Sequence, residues 1–168
     1  MRCKSLGIIF VLKDKSSDMT RTSLTLLLVL IISAFSALHA QDYKVALGVR
    51  LSSASPTLSN SVSLKYFMNQ KAALEGLVSF GSKFGIGGLY ELHKPTTATG
   101  LNWFYGGGAY IGFKDGNTYL GPTGIIGLDY KFTNVPLNLS LDWKPELDII
   151  PSINFVPDAF ALSARFTF

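Results

Sequence analysis

The chain has 168 residues, enough for one domain. Its 15 lysines and arginines outnumber its 11 acids, yet five of those bases and two of those acids precede Gln41, so residues 41–168 carry ten against nine, a net +1. That balance excludes an electrostatic footprint for nucleic acid. The one cysteine is Cys3, so the part after Gln41 can form neither disulfides nor thiol or cysteine–metal chemistry.

Leu24–Leu38 is an apolar run broken only by Thr25, Ser33 and Ser36. Arg21 precedes it, and Ala37-Leu38-His39-Ala40 and then Gln41-Asp42 follow. This order reads as a secretory signal peptide over 19–40, cut between Ala40 and Gln41. The run is shorter than the ~20 apolar residues of a spanning helix. No cysteine follows it, which excludes a lipoprotein anchor. Met19 opens the better n-region, so 1–18 are expected to be a misread upstream extension and 41–168 the mature domain.

From Gln41 onward the apolar period is two, which is the period of strands. Strand one, Tyr43–Ser52, sets Tyr43, Val45, Leu47, Val49 and Leu51 against Lys44, Ala46, Gly48, Arg50 and Ser52. Strand two, Ser59–Phe67, sets Val62, Leu64 and Tyr66 against Ser61, Ser63 and Lys65. Strand three, Lys71–Phe80, sets Leu74, Val78 and Phe80 against Ala73, Glu75 and Ser79. Strand four, Phe84–His93, sets Phe84, Ile86, Tyr90 and Leu92 against Gly85, Gly87, Glu91 and His93. Strand five, Leu101–Phe113, sets Trp103, Tyr105, Ala109, Ile111 and Phe113 against Gly106, Gly108, Tyr110 and Gly112. Strand six, Leu120–Phe132, sets Ile126, Leu128, Tyr130 and Phe132 against Gly127, Asp129 and Lys131. Pro122 argues that its regular part begins near Thr123, or bulges there. Strand seven, Leu137–Lys144, sets Leu137, Leu139, Leu141 and Trp143 against Asn138, Ser140, Asp142 and Lys144. Pro145–Pro157 reads as a long acidic, solvated loop holding Glu146 and Asp148, and Asp158 follows it. The last strand sets Phe160, Leu162, Ala164, Phe166 and Phe168 against Ala161, Ser163, Arg165 and Thr167.

Eight segments of about ten residues predict an all-β fold: an eight-stranded antiparallel up-and-down transmembrane barrel, apolar face to lipid and polar face to the lumen. With both termini periplasmic, Tyr43, Tyr66, Tyr90, Trp103, Tyr105, Tyr130, Phe132, Phe166 and Phe168 fall near one rim. Phe80, Phe84, Phe113, Trp143 and Phe160 fall near the other. Two aromatic girdles around an aliphatic band suit headgroup depth. A soluble lipocalin-like barrel would turn the apolar face inward instead.

Tyr66-Phe67-Met68-Asn69-Gln70-Lys71, Trp103-Phe104-Tyr105-Gly106-Gly107-Gly108, Leu141-Asp142-Trp143-Lys144-Pro145-Glu146 and the Arg165-Phe166-Thr167-Phe168 end carry a resemblance over Gln41–Phe168. They resemble the small eight-stranded outer-membrane β-barrel proteins of Gram-negative bacteria, the porin-like or outer-membrane β-barrel domain family. The alternating end Phe160, Leu162, Ala164, Phe166, Phe168 looks like the signal by which such barrels are recognised for insertion. The resemblance implies a location in the cell outer membrane. The partners expected there are outer-membrane lipid, lipopolysaccharide and, during insertion, the barrel-assembly machinery. A monomer without cofactor, metal or catalytic residues is expected.

The lumen charges are the best functional material. Lys44, Arg50, Lys65, Lys131, Lys144 and Arg165 face Glu75, Glu91, Asp129 and Asp142, and in so narrow a space they are expected to pair and plug the barrel. His93 reads as a solvated rim histidine, with no His-x-Ser pattern beside it. The glycines lack a phosphate-loop context and are expected to make room for Phe104 and Tyr110. The expected function is a non-enzymatic structural or surface-interaction barrel. A narrow channel for ions or small solutes ranks second, and a lipid-modifying enzyme third.

Overall fold

The computed structural model describes residues 43–157 and 160–168; the expected signal peptide, the expected Ala40–Gln41 cut and Asp158 lie outside them. The strands are β1 (Val45–Ser52), β2 (Ser61–Phe67), β3 (Ala72–Phe80), β4 (Phe84–Pro95), β5 (Leu101–Lys114), β6 (Asn117–Lys131), β7 (Leu137–Trp143), β8 (Glu146–Asp148), β9 (Asn154–Val156) and β10 (Phe160–Thr167). Eight of them, β1 to β7 and β10, pair antiparallel in a ring. The β1–β10 ladder closes it, from Ala46 opposite Thr167 to Ser52 opposite Ala161. Closure leaves none of these eight strands as an edge.

Local chemistry sets the hairpins. Asp115 and Gly116 join β5 to β6 with φ of 51° and 78°. Two positive φ values in a two-residue loop fit the right-handed twist of the flanking strands.

Alternation holds around the ring. Leu47, Val49, Leu51, Leu64, Ile86, Leu128, Leu141 and Leu162 are exposed on the outer face, while Arg50, Lys65, Glu75, Asp142 and Arg165 are buried inside. The interior is itself divided. Leu77, Leu89, Phe104, Tyr110 and Ile125, on β3 to β6, form an apolar cluster with Leu58. Arg50, Lys65, Asp142 and Arg165 stand on β1, β2, β7 and β10, and Glu75, Glu91 and Asp129 reach in from β3, β4 and β6.

Three expectations need correcting. First, β6 begins at Asn117 and runs straight through Pro122, which pairs with Ala109 of β5. The proline is tolerated because its missing N–H would point to the other neighbour. Gly124 and Leu120, of the same parity, donate from that side, to Pro145 O and Ile150 O.

Second, 145–157 is not a simple loop. β8 continues the line of β7, since Ile126 opposite Trp143 and Thr123 opposite Glu146 belong to one register. β9 folds back on β8, with Glu146 opposite Val156. Pro145 interrupts the ladder without ending the strand.

Third, the loop between β1 and β2 enters the barrel: Thr57, Leu58 and Ser59 are buried. A Cβ on Gly87 would lie 2.3 Å from Leu58 Cδ1, and one on Gly112 2.2 Å from Thr57 Cγ2. These two glycines make room for the loop rather than for Phe104 and Tyr110, whereas a Cβ on Gly121 would lie 3.0 Å from the Tyr110 hydroxyl.

Candidate functional site

The chemistry-bearing residues are stacked along the lumen. At the rim that carries both Tyr43 and Phe168, an aromatic layer comes first. Tyr43 packs edge-on against Phe67 at 5.2 Å, and Phe67 lies 4.9 Å from His93. His93 stacks on Phe104 at 5.0 Å, and Lys65 Nζ stands 4.6 Å from the centroid of the same ring. A cation over a desolvated aromatic face is stabilised by the ring quadrupole. Tyr43 precedes β1, so the pleat does not hold it outward, and it turns in. Burial, with Asp129 close by, pushes its hydroxyl above the ordinary tyrosine range.

Beneath this layer Lys65 Nζ lies 2.8 Å from Glu91 Oε2 and 3.8 Å from Asp129 Oδ1. His93 Nε2 reaches the same Glu91 oxygen at 2.9 Å. Asn138 Nδ2 donates to Asp129 at 2.8 Å. Next comes Arg165. Its guanidinium bridges to Glu75, donates from Nε to Ser63 Oγ at 2.6 Å, and from Nη1 to Ser140 Oγ at 2.7 Å. Ser63 in turn donates to Glu75 at 2.5 Å. Gly48 and Ser63, with their short or absent side chains on β1 and β2, leave the span from β10 to β3 open for that arginine.

Arg50 holds the next level. Nη2 lies 2.5 Å from Asp142 Oδ1, and Nη1 donates to Leu58 O at 3.3 Å. Lys144 Nζ lies 2.5 Å from Glu146 Oε1. Glu146 also accepts the backbone N–H groups of Thr57 at 2.7 Å and Leu58 at 3.0 Å. Near the far rim Tyr110 donates to Asp148 at 2.8 Å, and Asn154 donates to it at 3.2 Å.

Among the described residues the buried charges are four Lys or Arg against six Asp or Glu. Neutral donors make up the difference. Two amides serve Glu146, and Tyr110 and Asn154 serve Asp148. Hydrogen bonds to an ionised acceptor are roughly twice as strong as neutral ones. An arrangement of this kind immobilises its members. Each of the six carboxylates has at least one oxygen held by a partner, while Glu75 Oε2, Glu91 Oε1, Asp129 Oδ1 and Asp142 Oδ2 accept no hydrogen bond among the described residues.

Of the residues singled out from sequence, Arg50, Lys65, Glu75, Glu91, Asp129, Asp142, Lys144 and Arg165 come together here. Lys44 and Lys131 do not. Lys44 is exposed ahead of β1. Lys131 sits at the end of β6, where its ammonium donates to Phe132 O at 2.8 Å and Val135 O at 3.0 Å. Both lie where the pleat ends and the long side chain reaches water or the turn. His93 is not a solvated rim residue, because Phe67 and Phe104 enclose it and Glu91 binds it.

Glu146 and Asp148, expected in a solvated loop, are interior residues. Their signal was present in the sequence. Asn138, Ser140, Asp142, Lys144, Glu146 and Asp148 alternate without a break, and Pro145 masks the continuity. Thr57 and Leu58 carried no such signal.

Of the aromatic residues expected in the two girdles, all but Tyr43 stand on the outward parity. Trp103 and Tyr105 stack at 5.3 Å, and Tyr130 and Phe132 meet edge-on at 4.8 Å toward the rim of Phe168. Phe166, Tyr66 and Tyr90 are exposed on the same half. Phe80 and Phe84 lie 5.8 Å apart toward the other rim, where Phe113 is also exposed and Trp143 lies 6.5 Å from Phe160. No protein-family model matches the chain, and no curated protein matches it in sequence.

Proposed function

We propose that this protein is a non-enzymatic integral barrel of a bacterial outer membrane, its lumen plugged by side chains, with a structural or surface-interaction role in the envelope. One observation carries the reading: the polarity is inside out. Leu47, Val49, Leu51, Leu64, Leu128 and Leu141 are 45–58 % exposed, while Arg50 and Lys65 are at 0 % and Arg165 at 1 %. Water on the outside would solvate the wrong face, whereas hydrocarbon on the outside suits it. The aromatic residues toward both rims agree with headgroup depth.

The plug rests on the filled interior. Arg50, Arg165, Lys65, Phe104, Lys144 and Leu58 are among the largest side chains buried there. Both termini then face the periplasm, and the β8–β9 hairpin faces outward. The partners on this reading are outer-membrane lipid, lipopolysaccharide and the assembly machinery.

The test is fractionation of a Gram-negative host followed by N-terminal sequencing. The protein is expected in the outer membrane, beginning at Gln41. Recovery in the inner membrane with Leu24–Leu38 retained would overturn the reading.

A further inference from the structure

The ladder between β6 and β8 lacks two backbone donors, at Pro122 and Pro145. In this register Gly124 faces Pro145, and Pro122 faces Leu147. Each such pair in an antiparallel ladder exchanges two N–H···O bonds. Gly124 donates to Pro145 O at 3.2 Å, but Pro145 has no N–H to return. Pro122 likewise has none for Leu147. Two successive rungs are therefore halved. Thr123 patches the first, its hydroxyl lying 2.8 Å from Pro145 O and 3.2 Å from Gly124 O.

The outer surface is hollow at the same place. Pro122, Gly124, Pro145, Leu147 and Phe155 line a depression of about 260 Å³, with Thr123 and Glu146 behind. Gly124 contributes no side chain, and the prolines and Leu147 make the lining apolar. The hollow opens on the outer face and is continuous with the exposed apolar surface at Leu120 and Ile126. It is smaller than the roughly 300–1,000 Å³ of pockets that enclose a whole small molecule.

We propose that this notch seats one hydrocarbon chain of a membrane lipid, in the leaflet nearer the β8–β9 hairpin. The proposal rests on the membrane-spanning reading above. Surface continuous with the lipid-facing belt must be filled by what fills the rest of the belt, and an acyl chain is the only part of a lipid that matches an apolar lining without a free donor. The barrel thus has a preferred lipid position rather than a uniform annulus.

The test uses the protein in phosphatidylcholine vesicles doped with phosphatidylcholine whose acyl chain carries a diazirine. After irradiation, adducts are expected on peptides holding Pro122–Gly124 and Leu147–Phe155 several-fold above those on Val62–Leu64, an outward segment without a hollow. Gly124→Trp fills the notch and should abolish that excess while leaving the Val62–Leu64 adducts unchanged. A Cβ at Gly124 comes no closer than 3.8 Å, to Pro145 Cγ, so the backbone accepts it. Gly124→Leu serves if the tryptophan impairs folding, read by resistance to unfolding in dodecyl sulfate. Even labelling around the barrel, or excess that survives the filled notch, overturns the proposal. Interchain cross-links through Phe155 in place of lipid adducts would assign the notch to a second copy. Failure to float with the vesicles overturns the membrane reading itself, and the notch with it.

Discussion

Arg50 and Asp142 stand 92 positions apart in sequence and meet inside the barrel with Nη2 2.5 Å from Oδ1. They reach each other over β10, where Ala161 and Ser163 are the inward residues between them. Neither side chain has meaningful contact with water. The pair fixes three ladder strands to one another from the inside, and Arg50 also ties in the entering loop through Leu58 O.

Arg50→Leu should destabilise the barrel by about 3–5 kcal/mol, because Asp142 is left buried and unpaired. The double variant Arg50→Leu, Asp142→Leu should recover a large part of that loss. Equilibrium unfolding of vesicle-inserted protein in urea measures all three. Additive losses in the double variant would show that the two residues act independently.

Glu146 is the anchor of the mouth. Glu146→Ala removes the acceptor of two buried amides and the partner of Lys144 at once. Thr57 and Leu58 should then lose hydrogen-exchange protection. Planar bilayers should pass from no stable conductance with the unmodified protein to small, irregular leaks with the variant. Steady ion-selective channels from the unmodified protein would defeat the plug and favour a pore.

The two faces should differ in the substitutions they tolerate. Leu128 is 47 % exposed on the outward parity of β6, and Leu128→Arg should cost about 2–4 kcal/mol in a bilayer. Ser163→Ala, on the lumen face, should change stability little, since Ser163 Oγ has no hydrogen-bond partner among the described residues. Equal tolerance of both substitutions would mean that Leu128 does not face hydrocarbon.

Phe168 belongs to the seam that closes the ring. Its carbonyl accepts from Lys44 and Val45, and its N–H donates to Val45 O at 2.7 Å. Deleting it should impair insertion and weaken the β1–β10 seam. Phe168→Ala keeps the backbone bonds and isolates the ring's contribution. Pulse-labelling of the outer-membrane fraction separates the two, and full insertion of both variants would deny the residue any role in assembly.

Alternation is a local property of the pleat, so the sequence alone determined which residues of each strand share a face. Val45 to Ser52 and Phe160 to Thr167 read the same way in isolation as they do in the ring. The sequence also determined the eight ring strands, because every one carries its own period. Which charges pair was decided only by the tertiary structure. Lys65 stands directly opposite Glu75 in the β2–β3 ladder, and a neighbour rule would join them. Yet Arg165, arriving from β10, takes Glu75, and Lys65 turns to Glu91 two strands away. That outcome depends on how tilt and register accumulate around the whole ring, which no single segment records. The same holds for Thr57 and Leu58. Their loop is drawn inside because Gly85, Gly87 and Gly112 on two other strands leave a space of its shape and Glu146 on a third offers its amides an acceptor.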